Sequence, residues 1–98
     1  MVTKEQIKAT MEVLLETFPK LKDDIIEDKP FRINKKENGW SCFIYTEYSQ
    51  FGDQPGHIYT EFDSEGNPTE MSVFDLGRPQ RAVITKDANG KFIAKSKN

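Results

Sequence analysis

The stretch Phe31–Tyr48, FRINKKENGWSCFIYTEY, decides the fold because it predicts a β-hairpin. Asn38-Gly39 is a dipeptide that favours two-residue hairpin turns, and apolar and polar side chains alternate on both sides of it. This turn would place Lys35 opposite Cys42 and Ile33 opposite Ile44. One face of the hairpin then carries Phe31, Ile33, Trp40, Cys42 and Ile44, and the other carries Arg32, Asn34, Phe43 and Tyr45.

An amphipathic helix is predicted before the hairpin. Thr3 and Gln6 have the spacing of a capping box, with Val2 and Ile7 placed as a hydrophobic staple. An apolar stripe at helical spacing follows: Ile7, Met11, Leu14, Leu15 and Phe18. Residues Lys20–Asp28 continue a helical spacing after Pro19 and predict a second helical segment with a solvated acidic rim.

Four further strands are predicted after the hairpin and the Ser49–Gly56 loop. They are His57–Asp63, Thr69–Leu76, Gln80–Lys86 and Lys91–Ala94. Their short connections favour antiparallel neighbours, since parallel crossovers need a dozen residues or more. We therefore predict an α+β fold in one domain, residues 1–98: an N-terminal amphipathic helix packed on one face of a curved antiparallel meander of about five to six strands. In the order of its elements, this layout is similar to the cystatin-like and nuclear-transport-factor-like folds.

Composition and charge argue against several classes of function. The 98 residues carry a net charge of −2, whereas tight nucleic-acid binding usually requires a basic surface. The single cysteine, Cys42, excludes an internal disulfide and fits a reducing compartment. The N-terminus lacks the pattern of a signal peptide, and no apolar run is long enough for a membrane span. We expect a soluble cytoplasmic protein with no membrane partner.

The residues needed for catalysis or metal binding are scarce. Cys42 and the lone His57 cannot supply the three or four ligands of a zinc site, and Cys42 is predicted to lie under the helix as a small hydrophobe. Glu47 and Glu61 could face each other across strands, but paired carboxylates are common among sixteen acidic residues. We expect no catalytic residues, no metal and no cofactor.

Protein binding is the favoured function. Phe51 is a large apolar residue in the Ser49–Gly56 loop, where it is either an interface anchor or a cap on the core. The DLGRPQR segment offers two arginines for an acidic partner surface. The predicted partner-binding residues are Tyr48, Phe51, Asp53, His57, Tyr59, Arg78 and Arg81. An edge strand could in addition pair with a second copy and form a homodimer.

The hypothesis is therefore a small inhibitor or immunity-type protein that covers the functional surface of a protein target. Helix-plus-meander scaffolds of this size recur among bacterial immunity proteins and phage-encoded inhibitors. Two alternatives stay open. One is a small-ligand-binding domain or minor enzyme with a pocket between helix and sheet, and the other is a single-stranded nucleic-acid binder that stacks bases on sheet aromatics.

Overall fold

The computed structural model of the chain describes residues 2–18, 31–46, 56–75 and 78–96, with the side chains at 46, 56, 73–75, 78–80 and 96 left out of the description. One N-terminal helix packs against a six-stranded antiparallel sheet, so the predicted α+β fold is confirmed. The elements are α1 (Lys4–Thr17), β1 (Arg32–Lys36), β2 (Gly39–Thr46), β3 (Gly56–Asp63), β4 (Pro68–Asp75), β5 (Arg78–Lys86) and β6 (Phe92–Ser96). The strands follow one another in chain order, with β1 and β6 at the two edges of the sheet formed by the described residues.

Helix α1 begins where the sequence predicts. The Thr3 backbone N–H donates to Gln6 Oε1 at 2.8 Å, and the Gln6 N–H donates to Thr3 Oγ1 at 3.3 Å. These reciprocal bonds form the predicted capping box and satisfy amides that the first helical turn leaves unpaired. The second helical segment predicted for Lys20–Asp28 lies outside the described residues.

The first hairpin differs from the prediction in its turn and its register. Glu37 and Asn38 form the turn, whereas Gly39 is the first residue of β2 and pairs with Lys36. Consequently Lys35 lies opposite Trp40 and Ile33 opposite Cys42, two residues away from the predicted pairing. Gly39 allows the backbones of β2 and β3 to approach closely, because a Cβ at this position would collide with the carbonyl oxygen of Phe62. Since the shift is an even number of residues, every side chain keeps its predicted face.

Two later hairpins share one turn chemistry. Asp63 Oδ1 accepts from the N–H groups of Glu65 and Asn67 at 3.0 and 2.9 Å, while Gly66 adopts a φ of 84°. Asp87 Oδ1 accepts in the same way from Asn89 and Lys91, at 2.8 and 2.9 Å, and Gly90 has a φ of 80°. In each turn an aspartate holds the backbone and a glycine supplies the left-handed residue. The repeated D-x-x-G pattern therefore fixes β3 against β4 and β5 against β6.

The core lies between α1 and one face of the sheet. It consists of Ile7, Met11, Leu14, Leu15, Trp40, Cys42, Ile44, Ile58, Phe62, Met71 and Ile84. The helix contributes its predicted apolar stripe, and β2 and β3 contribute the alternate residues predicted to face it. The helix contacts β1 and β2. The other side of the sheet, which we call the distal face, thus points away from the helix.

Thr60 is a polar residue at the centre of this core. Its side chain is 0 % exposed, and its Oγ1 has no hydrogen-bond partner among the described residues. A buried hydroxyl without a partner has lost its bonds to water and gained nothing in return. We expect Thr60→Val, which exchanges the hydroxyl for a methyl group, to raise the free energy of unfolding by about 1 kcal/mol.

Urea unfolding of Thr60→Val measures this change. Thr85→Val, an exposed threonine of β5, is the matched control and should change stability by less than about 0.5 kcal/mol. A Thr60→Val variant that is less stable than the wild type would show that the hydroxyl is hydrogen-bonded in solution.

Candidate functional site

The distal face carries an aromatic patch on β2 and β3. The register places Phe43 opposite Tyr59 and Tyr45 opposite His57, with all four side chains on the same side of the sheet. Each of the four is half-buried. We call Phe43, Tyr45, His57 and Tyr59 the aromatic patch. The register of β2 with β3 brings these rings together, because directly opposite residues of adjacent strands have Cβ atoms about 5 Å apart.

The rings of the patch contact one another. Phe43 stacks on His57 with centroids 4.6 Å apart and an interplanar angle of 19°. Phe43 also meets Tyr45 edge to face, at 5.1 Å and 71°. Both geometries are favourable for aromatic pairs. Phe43 is therefore the ring that joins the neighbouring members of the patch.

Cations from β1 border the patch. Arg32 Nη1 donates to Tyr45 Oη at 3.1 Å, and Lys36 Nζ donates to Tyr59 Oη at 2.7 Å. Lys36 also forms an ion pair with Glu61 at 3.0 Å. The hydrogen bonds to Tyr59 and then to Glu61 raise the pKa of Lys36. Both charged side chains are more than 40 % exposed, so the pair contributes little to stability and chiefly fixes the position of Tyr59.

A polar depression adjoins the patch on its β4 and β5 side. It has a volume of about 290 Å³ and is lined by Tyr59, Glu61, Glu70, Ser72 and Arg81. Ser72 lies directly between Tyr59 and Arg81 in the register, so a small side chain separates two large ones. The depression exists because of this difference in size.

The surroundings of His57 favour its neutral form over the imidazolium. Burial of the imidazole beside Phe43 lowers its pKa from the ordinary value of 6.5. Because the folded pKa is the lower one, the unfolded chain binds the proton first as the pH falls. The stabilising contribution of neutral His57 is therefore complete above pH 6.5 and is lost as the pH falls through the folded pKa.

An NMR titration checks this prediction directly, since His57 is the only histidine of the chain. We expect its imidazole C–H resonances to give a pKa below 6.5 in the native protein and close to 6.5 in urea. A native pKa above the urea value would contradict the prediction, because it would require a nearby anion to stabilise the imidazolium.

Cys42 and His57 lie on opposite faces of the sheet. The Cys42 side chain is buried under the helix, and burial raises its pKa to about 12. A thiol with this pKa is a poor nucleophile at neutral pH, and His57 is on the wrong side of β3 to activate it. Within residues 2–18, 31–46, 56–75 and 78–96, no group of three or more His, Cys, Asp or Glu residues could hold a metal ion.

The predicted partner-binding residues fall into two groups. His57, Tyr59 and Arg81 lie on the distal face, the first two on β3 and Arg81 on β5, with β4 between these strands. Arg78 is the first residue of β5, with its side chain outside the description, and Tyr48, Phe51 and Asp53 lie outside the described residues. Glu47, the proposed partner of Glu61, lies outside them as well.

The site also contains residues outside the predicted partner-binding set: Arg32, Lys36, Phe43, Tyr45, Glu61, Glu70 and Ser72. The hairpin pattern already places Phe43 and Tyr45 on the face away from the helix. Their position opposite Tyr59 and His57 depends on the register of β2 with β3, which the short connections predict to be antiparallel neighbours but do not align. Ser72 carries no sequence signal of its own, because only the register shows that it separates two large side chains.

Comparison with known protein families, with curated proteins and with solved structures finds no match to this chain. None of the helices in the described part of the chain has the length and apolar character needed to cross a membrane.

Proposed function

We propose that the protein is a small protein-binding module that uses the distal face to cover the functional surface of a protein target. The aromatic patch is the observation that carries this proposal. Its rings are half-buried and supported by a regular sheet, and cations of Arg32 and Lys36 stand at its border. Aromatic residues and arginine are enriched in protein interfaces, and tyrosine and arginine are among the residues most often found as hot spots.

The surroundings of the patch fit an interface anchor. Its two tyrosine hydroxyl groups are hydrogen-bonded to Arg32 and Lys36, so the rings are held before a partner arrives. Pre-organised side chains lose less conformational entropy on binding, which leaves more of the contact energy for affinity. An inhibitor or immunity-type protein needs this property because it must hold its target tightly.

The arrangement of the rings favours a protein over a single-stranded nucleic acid. Base stacking requires ring faces that are open to solvent. The Phe43 ring is instead occupied by His57 on one side and by an edge-to-face contact with Tyr45. The net charge of −2 also gives little attraction to a phosphate backbone.

Affinity purification from a lysate of the native cell tests the proposal. The variant Phe43→Thr removes the central ring and keeps a residue that suits a strand. We expect it to weaken capture of the specific partner by roughly tenfold or more, as truncation of an interface hot spot does. Loss of the ring contacts should lower the free energy of unfolding by only about 1 kcal/mol.

The matched control is Val13→Ala on α1. Val13 is the most exposed large apolar residue of the described chain, at 49 %, and lies away from the distal face. This variant should capture the partner as the wild type does. Equal loss in both variants would indicate that general hydrophobic adhesion, rather than the aromatic patch, is responsible for capture.

A further inference from the structure

We propose that the polar depression between Tyr59 and Arg81 is a subsite for a carboxylate side chain, so that the partner is a protein with an acidic segment. This inference rests on the proposed function, since it assigns a chemistry to the partner of the same face. It concerns the part of that face that extends from Tyr59, at the border of the aromatic patch, across β4 to Arg81 on β5.

Arg81 is the cation of the depression. Its side chain is exposed and lines the depression, and it forms no hydrogen bond or ion pair with any described residue. A guanidinium presents five N–H donors in a planar fork that matches a carboxylate with two parallel hydrogen bonds. The guanidinium N–H donors of Arg81 are therefore available to a ligand in the depression.

Ser72 provides a hydroxyl group beside Arg81. It is half-buried, stands directly opposite Arg81 in the register, and its hydroxyl has no hydrogen-bond partner among the described residues. Cross-strand neighbours have Cβ atoms about 5 Å apart, so one bound carboxylate can accept from both groups. Tyr59 forms the opposite wall, and its hydroxyl is held by Lys36.

The two glutamates of the depression set the balance of charge. Glu61 is paired with Lys36 at 3.0 Å, which neutralises it. Glu70 lies opposite Glu61 and two residues from Ser72, hence diagonal to Arg81. Glu70 is therefore farther from Arg81 across the sheet than Ser72 is, at a diagonal separation of about 7–8 Å compared with about 5 Å for the directly opposite pair. A carboxylate that enters the depression is thus expected to bind on its Arg81 and Ser72 side.

One row of side chains across the distal face fits a partner that has acidic residues around an apolar centre. Across five strands the distal face presents Arg32, Phe43, Tyr59, Ser72 and Arg81 side by side. An arginine therefore stands at each end of the row, roughly 19 Å apart by strand spacing, with aromatic rings between them. Charge complementarity requires carboxylates on the partner at the flanks of an apolar contact.

In the test, the full chain is titrated with each of two pentapeptides with blocked termini, Glu-Glu-Phe-Glu-Glu and Lys-Lys-Phe-Lys-Lys. NMR follows the resonances of the backbone amides of the protein. We expect the acidic peptide to bind with a Kd on the order of 1 mM and to shift the amides around Ser72 and Arg81. Arg81→Gln should weaken it about tenfold, since a charge-assisted pair is lost.

Lys8→Gln is the charge-matched control, because Lys8 is exposed on α1, away from the distal face. It should leave the binding unchanged within about twofold. Equal weakening by Lys8→Gln and Arg81→Gln would contradict the carboxylate subsite. Stronger binding of the basic peptide would contradict it as well, and so would the absence of any binding of the acidic peptide at concentrations up to about 10 mM. Inorganic phosphate is a third probe, and if it shifts the same amides as strongly as the acidic peptide, the proposed occupant is wrong.

The variants also separate this inference from the function on which it rests. With the partner obtained by affinity purification, Phe43→Thr and Arg81→Gln should each weaken capture. If Phe43→Thr alone weakens it, the distal face stands as the binding surface and the carboxylate subsite is overturned. If neither variant weakens it, both proposals are overturned.

Discussion

Replacing Gly39 by alanine is expected to destabilise the protein by about 3 kcal/mol, at the upper end of the usual cost of overpacking. A Cβ at this position collides with the carbonyl oxygen of Phe62 and closely approaches the carbonyl carbons of Phe62 and Asp63. All of these atoms are backbone, so no flexible side chain can move aside. Strand β2 would have to separate from β3 where Gly39 pairs with Asp63.

Urea unfolding and thermal melting measure the effect of Gly39→Ala. A loss of 3 kcal/mol corresponds to a Tm lower by roughly 12–24 °C in a domain of this size. Gly90→Asn is the control, because Gly90 has open space around it and asparagine tolerates its left-handed φ of 80°. The control should lose less than about 1 kcal/mol. A Gly39→Ala variant within 1 kcal/mol of the wild type would contradict the close approach of the two strands.

Cys42 in the native protein is expected to react with a disulfide reagent such as Ellman's reagent about a thousandfold more slowly than an exposed thiol at pH 8. Burial raises the pKa of Cys42 from 9.0 to about 12, which lowers its thiolate fraction by about three powers of ten. Access is restricted too, since the side chain is 0 % exposed beneath the helix.

The unfolded chain provides the control for Cys42. In guanidinium chloride the same thiol should react at the rate of a model peptide, which shows that protection comes from the fold. Fast reaction of the native protein would contradict the placement of Cys42 on the helix-covered face. It would also return this residue to consideration as a nucleophile.

The sequence predicts the two faces of the sheet better than its register. Trp40, Cys42 and Ile44 are buried as predicted, because side-chain alternation depends only on strand conformation. Asn38-Gly39 favours a turn at those residues, but the turn forms at Glu37-Asn38. Local turn preference could not reveal that the backbone of β3 approaches Gly39, because that contact is made by a residue 23 positions away.

The site is predicted only in part for a similar reason. The sequence indicates His57 and Tyr59 because they border the Ser49–Gly56 loop, and Arg81 because it lies in an arginine-containing segment. The structure places all three on the distal face. Their grouping with Phe43 and Ser72 arises from the pairing of β2, β3, β4 and β5. Such pairings join distant parts of the chain, so they are determined by the whole sheet and not by any one segment.

The Kd of the captured partner for three proteins, the wild type, Phe43→Thr and Val13→Ala, tests directly whether the aromatic patch is a protein-binding surface. We predict that Phe43→Thr raises the Kd by roughly tenfold or more at a temperature where all three are folded, whereas Val13→Ala leaves it unchanged. A Kd for Phe43→Thr equal to that of the wild type would show that the aromatic patch is not the surface that binds the partner.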